Sequence, residues 1–477
     1  MKMKKIVIIM VLAIAANGFS ATFDSLALRI INSAGHNPRN IGFVVRRISD
    51  GSEFVSINGD QQFIPASLQK LFTGAAAFDK LGVNFTARTR IYAENFDRAT
   101  GEVKGNLYIV GAGDPLISAE RLWLLAQHLR HLGVRKINNR LIIDNSLFSD
   151  QVIAPGYGDS PNARAFMAPI SAFAVSFNAT SVVVSPSVAG QNAHIHLFPT
   201  RDDVPIRGAV STAERGRELS VSTQRHAQSG MEVVLGGAVN PTAATRYVYR
   251  QVWEPTTNAA ESLRSVLKES GIEADFTFGL GKVDTAKAEL ILTFDSQPLS
   301  EMSRGMFKFS NNFTSEMVFL MLASQTMRTQ ANWDLAREVV ENWWQTNFPE
   351  SGKITAINGS GMGDGNQASA GQFADLLGWA YRQDWFFEFI TLQPIAGIDG
   401  TLSMRFRNSP LRGNLRAKTG TLNTLGVSSL AGYFRVNGEL YSMVFIANDR
   451  ATTQYSKWVL SERLLEGIKN AIERTAR

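Results

Sequence analysis

The sequence contains no cysteine among its 477 residues. This absence excludes a disulfide framework, a thiol nucleophile, a cysteine metal site and a lipid anchor on an N-terminal cysteine. Long apolar runs are also absent. The apolar segment Ile6–Ala16 falls well short of the ~20 residues that a helix needs to cross a bilayer, and no later segment reaches that length. The fold must therefore be stabilised by its apolar cores alone.

The excess of one charge sign over the other is small. The formal net charge is +6, and it falls to +3 (45 basic minus 42 acidic residues) once Lys2, Lys4 and Lys5 are left out. Such a small excess gives no argument for nucleic acid as a partner. The three lysines precede the apolar segment, and small residues follow it, which is the layout of a secretory signal peptide. We therefore expect residues 1–20 to be a signal peptide, and the mature protein to be periplasmic or otherwise extracytoplasmic, without an integral membrane segment.

The two ends of the chain carry regular patterns. An apolar, β-branched run over Ile41–Ile48 and an alternating run over Glu53–Ile57 predict a β-hairpin, since a turn signal separates them. Apolar residues at helical spacing predict a helix that begins at Ser67 and ends at Gly82. Near the C-terminus, a strand, a turn and a second strand precede an amphipathic helix over Tyr455–Ile472. These elements predict one antiparallel sheet covered by helices from both chain ends.

The middle of the chain has a different character. From about Ile91 to Val283, short β-rich runs alternate with glycine, proline, serine and asparagine, and one predicted helix interrupts them. Frequent turns between short alternating runs indicate inserted β-rich modules rather than a continuation of the first core.

Ser67 and Lys70 form an S-x-x-K pattern at the start of the predicted helix. Residues three apart share one helix face, so the lysine amine can reach the serine hydroxyl, and the helix N-terminus favours developing negative charge. A lysine base must be neutral, which burial or a neighbouring positive charge promotes. The pattern alone is weak, because a serine that caps a core helix gives it too. Ser265 and Lys268 repeat it in mid-helix, without this context.

Two further patterns follow along the chain. Ser310 and Asn312 form S-x-N near a predicted helix start, a pattern that recurs elsewhere and that helix capping also produces. Lys418–Thr421 reads Lys-Thr-Gly-Thr, occurs once, and stands just before the apolar strand Val427–Phe434. A strand edge with these residues can hold a substrate carboxylate and bind the substrate backbone as an added strand. The alternative is an ordinary lysine that protects a strand edge from aggregation.

The ordered combination of these patterns resembles the serine penicillin-binding enzymes, whose three motifs occur in this order. Ser310 lies about 240 residues after Lys70, a gap typical of the low-molecular-mass class C penicillin-binding proteins of the penicillin-binding protein 4 type, and far longer than β-lactamases have. Other segments fit that family across most of the mature chain, namely Gly113–Pro115, Phe166–Ala172, Asn358–Gly361, Pro394–Leu402 and Arg416–Leu422.

The resemblance implies an α+β fold, with a penicillin-binding or β-lactamase-like transpeptidase domain whose antiparallel sheet is covered by helices, and with inserted β-rich modules. It implies a serine D,D-carboxypeptidase and D,D-endopeptidase that cleaves D-Ala-D-Xaa bonds of peptidoglycan stem peptides through an ester on Ser67. β-Lactam antibiotics would acylate the same serine, and neither a cofactor nor a metal is implied. The implied catalytic residues are Ser67, Lys70 and Ser310, and the implied substrate-binding residues are Asn312, Lys418, Thr419 and Thr421.

The same resemblance implies a split catalytic domain. We expect it to comprise residues 21–87 and 283–477, with an inserted module of residues 88–175 and 241–282 and a smaller β-rich module of residues 176–240 nested within that module. The chain departs from its relatives at three places. Asn311 and Asn358 stand where relatives often have aspartate, and Ser176 aligns with an acidic residue of relatives; none of them is assigned to the chemistry.

The motifs also admit other functions. A β-lactamase needs rapid deacylation, and the long insertion and the lack of a recognisable deacylating glutamate motif argue against it. A non-catalytic peptidoglycan-binding or sensor protein need not keep every motif side chain. His194 and His196 lie on one face of a predicted strand, but no H-E-x-x-H motif occurs and no third ligand is suggested. The aromatic residues Trp343, Trp344 and Phe348 are interpreted as packing, with glycan contact as the alternative.

Overall fold

A computed structural model describes residues 22–158, 163–215 and 217–475. The predicted signal peptide lies outside the described residues. The described chain packs as two compact units, the first made of the residues up to Val83, Ser303–Asn311 and the chain from Arg337 on, and the second made of Asn84–Met302 and Asn312–Ala336.

The first unit is built on a five-stranded sheet. Every neighbouring pair of strands in it is antiparallel, so the hairpin predicted near the N-terminus and the strand pair predicted near the C-terminus are both confirmed. The C-terminal pair lies inside the sheet, and nearly all its residues are buried, as expected for strands covered on both faces. Across the sheet, the strands follow the order Glu53–Ile57, Ile41–Arg47, Glu439–Asn448, Val427–Val436, Arg416–Leu422.

One face of this sheet is covered by a helix at each end of the described chain, one over 22–33 and the other over Gln454–Thr475. Phe23 and Leu464 from these helices share a buried core with Phe43 of the sheet. Burying a side chain of this size contributes roughly 1.5–3 kcal/mol. The predicted cover by helices from both chain ends is therefore confirmed.

Helices also pack on the opposite face. Ala370–Ala380 contacts the central strands, and a capping box between Ser369 and Gln372 fixes its start. The helix predicted to begin at Ser67 is observed over Gln69–Leu81, two residues later, with Gly82 as its C-cap. Trp343, Trp344 and Phe348 are all buried, which confirms that they are packing residues. This unit also contains the helix Phe386–Thr391 and the short strands Gln62–Phe63 and Ala368–Ser369.

The second unit contains a mixed five-stranded sheet. Its core joins residues of the sheet to the helices Ala119–His131 and Pro255–Glu269, because Leu122, Leu125 and Leu263 all point into one apolar cluster. In sheet order the strands are Thr277–Leu280, Arg140–Asp144, Asn106–Val110, Arg88–Glu94 and Ala288–Asp295.

A separate apolar cluster within this unit runs from Val182 to Val252. Short strands surround it, in agreement with the β-rich inserted region that the turn-rich sequence predicts. The limits predicted for the nested modules stay a prediction. The strands are Ala179–Ser185, His194–Phe198, Ile206–Gly208, Ser211–Thr212, Ser220–Gln224, Glu232–Gly236, Ala238–Val239 and Arg246–Gln251, and four further short strands are Phe96–Asp97, Glu102–Val103, Lys136–Ile137 and Glu273–Ala274.

Three helices lie near the points where the chain passes from one unit to the other along the sequence. They are Leu299–Lys308, Asn312–Met327 and Trp333–Asn347. In the described ranges, no helix combines the length and the apolar composition required to span a membrane. The α+β class predicted from sequence is confirmed, with an antiparallel sheet between helices and a β-rich insertion.

Candidate active site

Ser67 lies in a tight 3-10 turn, Ala66–Leu68, directly before the helix Gln69–Leu81. The preceding Ala66 has a φ of +50°, a conformation that an alanine adopts only when its surroundings hold it. The hydroxyl of Ser429, on a central strand of the sheet, donates to the carbonyl of Pro65 over 2.8 Å and fixes this turn. No side chain caps the helix here, so Ser67 is not a capping serine.

Lys70 follows Ser67 after one turn. Its Nζ atom lies 2.9 Å from the Ser67 hydroxyl oxygen, and its side chain is completely buried. The same Nζ atom also donates to the carbonyl of Ser360 over 2.6 Å. These contacts orient the lysine toward the serine, as the S-x-x-K spacing predicts.

A glycine makes this second contact of Lys70 possible. Gly361 has a φ of +80°, and a Cβ atom there would lie 1.9 Å from the carbonyl oxygen of Ala66. The segment can therefore pass directly behind the serine turn. The Asn358 side chain accepts a hydrogen bond from the N–H of Gly361 over 2.8 Å, a role that the aspartate of relatives could also fill.

Ser310 and Lys418 form a second serine–lysine pair in the same unit. The Lys418 Nζ atom lies 2.8 Å from the Ser310 hydroxyl oxygen and 2.6 Å from the carbonyl oxygen of Thr419. Ser310 follows the end of the helix Leu299–Lys308 and has a φ of +60°. Burial, and then the positive charge of Lys70, hold the pKa of Lys418 well below its ordinary value.

Lys418 belongs to Arg416–Leu422, the outermost strand of the five-stranded sheet. Thr419 is partly buried and Thr421 is exposed on this strand. Gly420 lies between them, where a Cβ atom would be 2.2 Å from the Ser429 hydroxyl and 3.0 Å from the backbone nitrogen of Ser67. Glycine is therefore required for the strand to approach the serine turn so closely.

Asn312 falls in the second unit, as the first residue of the helix Asn312–Met327. Its side-chain amide donates to the carbonyl of Phe166 over 3.2 Å. The first unit contains Ser67, Lys70, Ser310 and Lys418, and Asn312 is the first residue of the next segment, which belongs to the second unit. Its role in substrate binding stays a prediction.

The alternative sites differ from this arrangement. Ser265 lies within the helix Pro255–Glu269, and Lys268 pairs with Asp275 over 3.5 Å at the surface. His194 and His196 lie two residues apart on the strand His194–Phe198 and therefore share one face of it, as predicted. Within the described ranges, no group of three or more histidine, aspartate and glutamate side chains is placed to hold a metal ion.

Two residues near Ser310 were missed in the sequence. Lys308 is buried two residues before Ser310, and its ammonium lies 2.8 Å from an oxygen of Asp399. Asp399 belongs to the segment Pro394–Leu402, which fits the family pattern but has no spacing that would link it to Lys308. A lysine among the apolar residues of a helix end was the one available signal.

The sequence is similar to known proteins of one family. The sequence profile of the D-Ala-D-Ala carboxypeptidase 3 (S13) family matches residues 29–461. The D-alanyl-D-alanine carboxypeptidase of Actinomadura sp. (strain R39) is 31% identical over 405 residues, which cover 82% of this chain and 74% of that protein. The D-alanyl-D-alanine carboxypeptidase DacB of Haemophilus influenzae is 26% identical over 425 residues, which cover 87% of this chain and 86% of that protein.

A solved structure has a similar fold. The crystal structure of penicillin binding protein 4 (dacB) from Haemophilus influenzae superposes with a TM-score of 0.77 at 24% sequence identity, and the match covers 91% of this chain and 96% of that chain. The penicillin-binding fold expected from the sequence motifs is therefore confirmed over most of the chain.

Proposed function

Since this chain belongs to the D-Ala-D-Ala carboxypeptidase 3 (S13) family, and is thereby a serine peptidase of the penicillin-binding protein 4 type, we propose that it cleaves D-Ala-D-Xaa bonds of peptidoglycan through an ester on Ser67. One observation carries this proposal. Two serine–lysine pairs, Ser67 with Lys70 and Ser310 with Lys418, lie in one unit with both lysines buried.

In the first step, the Ser67 hydroxyl oxygen attacks the carbonyl carbon of a D-Ala residue. Neutral Lys70 takes the hydroxyl proton, which its 2.9 Å contact with the Ser67 oxygen supports. The carbon–nitrogen bond of the peptide then breaks, and the leaving amine must receive a proton. Ser310 donates its hydroxyl proton to that amine and regains a proton from Lys70, which holds the one taken from Ser67.

Charge develops on the carbonyl oxygen during this attack. The backbone N–H groups of Ser67 and Thr421 form the oxyanion hole in this proposal, each contributing about 3 kcal/mol to transition-state stabilisation. The close approach at Gly420, which brings the strand against the Ser67 backbone nitrogen, supports this pairing.

The substrate peptide binds along the outer strand Arg416–Leu422, where its backbone can add as a further strand. Lys418, with Thr419 or Thr421, favours substrates that carry a nearby carboxylate. Asn312 orients the peptide amide, a role that rests on the motif alone. Water then hydrolyses the ester and restores Ser67.

The same steps serve two activities. When the leaving amine belongs to free D-Ala, the enzyme acts as a carboxypeptidase. When the amine belongs to a cross-linked residue, it acts as an endopeptidase, because the bond that breaks is chemically the same. β-Lactams would acylate Ser67 in place of the peptide. Such substrates require export of the chain to an extracytoplasmic compartment, which the predicted signal peptide supports.

The test uses purified protein with two peptidoglycan fragments, a linear pentapeptide that ends in D-Ala-D-Ala and a cross-linked dimer. The proposal expects free D-Ala from the first and monomers from the second, and the absence of both products would overturn it. Incubation with a labelled penicillin separates the alternatives: a long-lived adduct on Ser67 supports a D,D-peptidase, and a rapidly hydrolysed adduct indicates a β-lactamase. Without any adduct, the chain would be a non-catalytic binding or sensor protein.

A further inference from the structure

An ion pair between a buried lysine and a half-buried aspartate lies beside the second serine–lysine pair. Lys308, the last residue of its helix, donates to both carboxylate oxygens of Asp399 over 3.1 and 2.8 Å, and to the carbonyl of Gln393 over 2.7 Å. The Lys308 side chain is only 9% exposed. One oxygen of Asp399 also accepts the N–H of Ile395 over 2.7 Å. The contact therefore joins the helix end to the segment Gln393–Asp399.

The backbone reinforces this junction. Gly400 has a φ of +55°, and a Cβ atom there would lie 2.4 Å from the carbonyl oxygen of Lys308. Burial raises the pKa of Asp399, but the hydrogen bonds from Lys308 and Ile395 outweigh it, so the pKa of Asp399 lies below its ordinary value. The carboxylate is thus ionised at neutral pH, and the pair is held by charge as well as by packing.

The other side of the same segment is bonded to the strand that carries Lys418. The N–H of Ala417 donates to the carbonyl of Pro394 over 3.0 Å, and the N–H of Ala396 donates to the carbonyl of Leu415 over 2.9 Å. The Thr401 and Thr419 hydroxyl oxygens lie 2.7 Å apart. The segment from Gln393 to Thr401 is therefore a spacer between the helix end and the outer strand.

Ser310 stands two residues beyond Lys308 in a left-handed conformation. Such a conformation costs a non-glycine residue about 1–2 kcal/mol, so the surroundings must hold it. We propose that Lys308 and Asp399 are positioning residues, which fix the helix end against the spacer and thereby set the hydrogen bond between Ser310 and Lys418. This inference rests on the proposed function, because it assumes that Ser310 relays a proton during acylation of Ser67.

A purely structural role predicts a different result from a positioning role. If the pair only stabilises the fold, its loss lowers the free energy of unfolding and leaves acylation of the folded protein unchanged. If it positions Ser310, its loss slows acylation in fully folded protein. The decrease in acylation rate must also disappear when the Ser310 hydroxyl is absent, because the pair then has no hydroxyl to position.

The experiment measures the second-order rate of Ser67 labelling by a fluorescent penicillin, in the full chain and below the unfolding temperature. The main variant is Lys308→Met/Asp399→Asn, which removes both charges and so leaves no buried charge without a partner. We expect its labelling rate to fall about tenfold to a hundredfold, since small displacements of a catalytic group have effects of this size. The same double change in a Ser310→Ala background should cause no further loss.

Asp375→Asn is the matched control. Asp375 pairs with Arg46 in the same unit, and its side chain is 28% exposed, against 39% for Asp399. None of its hydrogen bonds or ion pairs is with a residue of the proposed site. Its loss should lower thermal stability and leave the labelling rate within about twofold, as for a surface change away from the chemistry.

Two results would overturn the inference: a folded double variant that labels at the wild-type rate, or an equal loss with and without the Ser310 hydroxyl. If the double variant does not fold, Asp399→Glu decides, because it keeps the charge and lengthens the contact by one methylene. A loss of about threefold to tenfold then supports positioning, and a wild-type rate refutes it. Absence of labelling in the wild-type protein would instead count against the proposed function.

Discussion

The Nζ atom of Lys418 lies 2.8 Å from the hydroxyl oxygen of Ser310, although 108 residues separate the two in the chain. A lysine ammonium only donates, so the serine oxygen is the acceptor in this contact when Lys418 is charged. The hydroxyl proton of Ser310 then remains available for another acceptor. In the proposed reaction that acceptor is the leaving amine of the substrate.

The first prediction concerns pH. Burial, and then the charge of Lys70, lower the pKa of Lys418, so its ammonium loses its proton at a lower pH than an exposed lysine would. As the pH rises through this lowered pKa, the charge that attracts the substrate carboxylate disappears. The rate of Ser67 acylation by penicillin should therefore fall on the alkaline side below the ordinary lysine value of ~10.4.

The control for this pH profile is Lys418→Arg. A guanidinium stays protonated up to a pH of about 12, so the alkaline fall should move upward in this variant, even if the absolute rate drops. Rates would be measured by stopped-flow mixing of the protein with a labelled penicillin at each pH. An alkaline fall that does not move in Lys418→Arg would assign it to another group.

The second prediction separates two roles of the same residue. Lys418→Ala should slow acylation more for a substrate with the nearby carboxylate than for its amidated analogue, because only the first loses an attraction between opposite charges. Competition between the two peptides in one reaction, followed by mass spectrometry, gives the ratio directly. If both substrates lose equally, Lys418 would act on the proton relay through Ser310 and not on the carboxylate.

The third prediction concerns the nucleophile. Ser67→Ala should abolish both penicillin labelling and peptide hydrolysis, with thermal stability nearly unchanged, because the Ser67 side chain caps no helix. Ser265→Ala is the matched control, since that serine has the same S-x-x-K spacing but lies inside the helix Pro255–Glu269. Labelling that persists on another serine in Ser67→Ala would disprove the assignment of the nucleophile.

The Ser67 pair could be predicted from the sequence because its geometry is local. Residues three apart at a helix start must lie on one face, and the observed 2.9 Å contact between Lys70 and Ser67 follows from that spacing. The sheet could be predicted for a similar reason, since alternating apolar residues and a turn define each hairpin.

The contacts across the fold could not be predicted in this way. The pair Ser310–Lys418 was expected only because the order of the motifs resembles a known family, and spacing alone contains no information about it. Lys308 and Asp399 were missed because they meet through the packing of a helix end on a loop 91 residues later.

The last prediction tests whether the outer strand must touch the serine turn. At Gly420 a Cβ atom would lie 2.2 Å from the Ser429 hydroxyl, 2.9 Å from the carbonyl oxygen of Pro65 and 3.0 Å from the Ser67 nitrogen. Two of these neighbours are backbone atoms of the turn itself, so the strand must move away from it. Gly420→Ala should therefore reduce acylation by about a hundredfold, the size expected when one oxyanion donor is lost.

The matched control for this change is Gly378→Ala. Gly378 lies inside the helix Ala370–Ala380, and a Cβ built there has no heavy atom within 4 Å beyond its chain neighbours and the adjacent backbone of its own helix. Alanine should raise the free energy of unfolding by up to about 1 kcal/mol at this site and leave acylation unchanged, because it removes the helix penalty of glycine. Thermal unfolding and penicillin labelling would be measured on both variants. If Gly420→Ala folds and labels at the wild-type rate, then close contact between the strand and the Ser67 turn is not needed for catalysis, and the oxyanion hole proposed from it would be wrong.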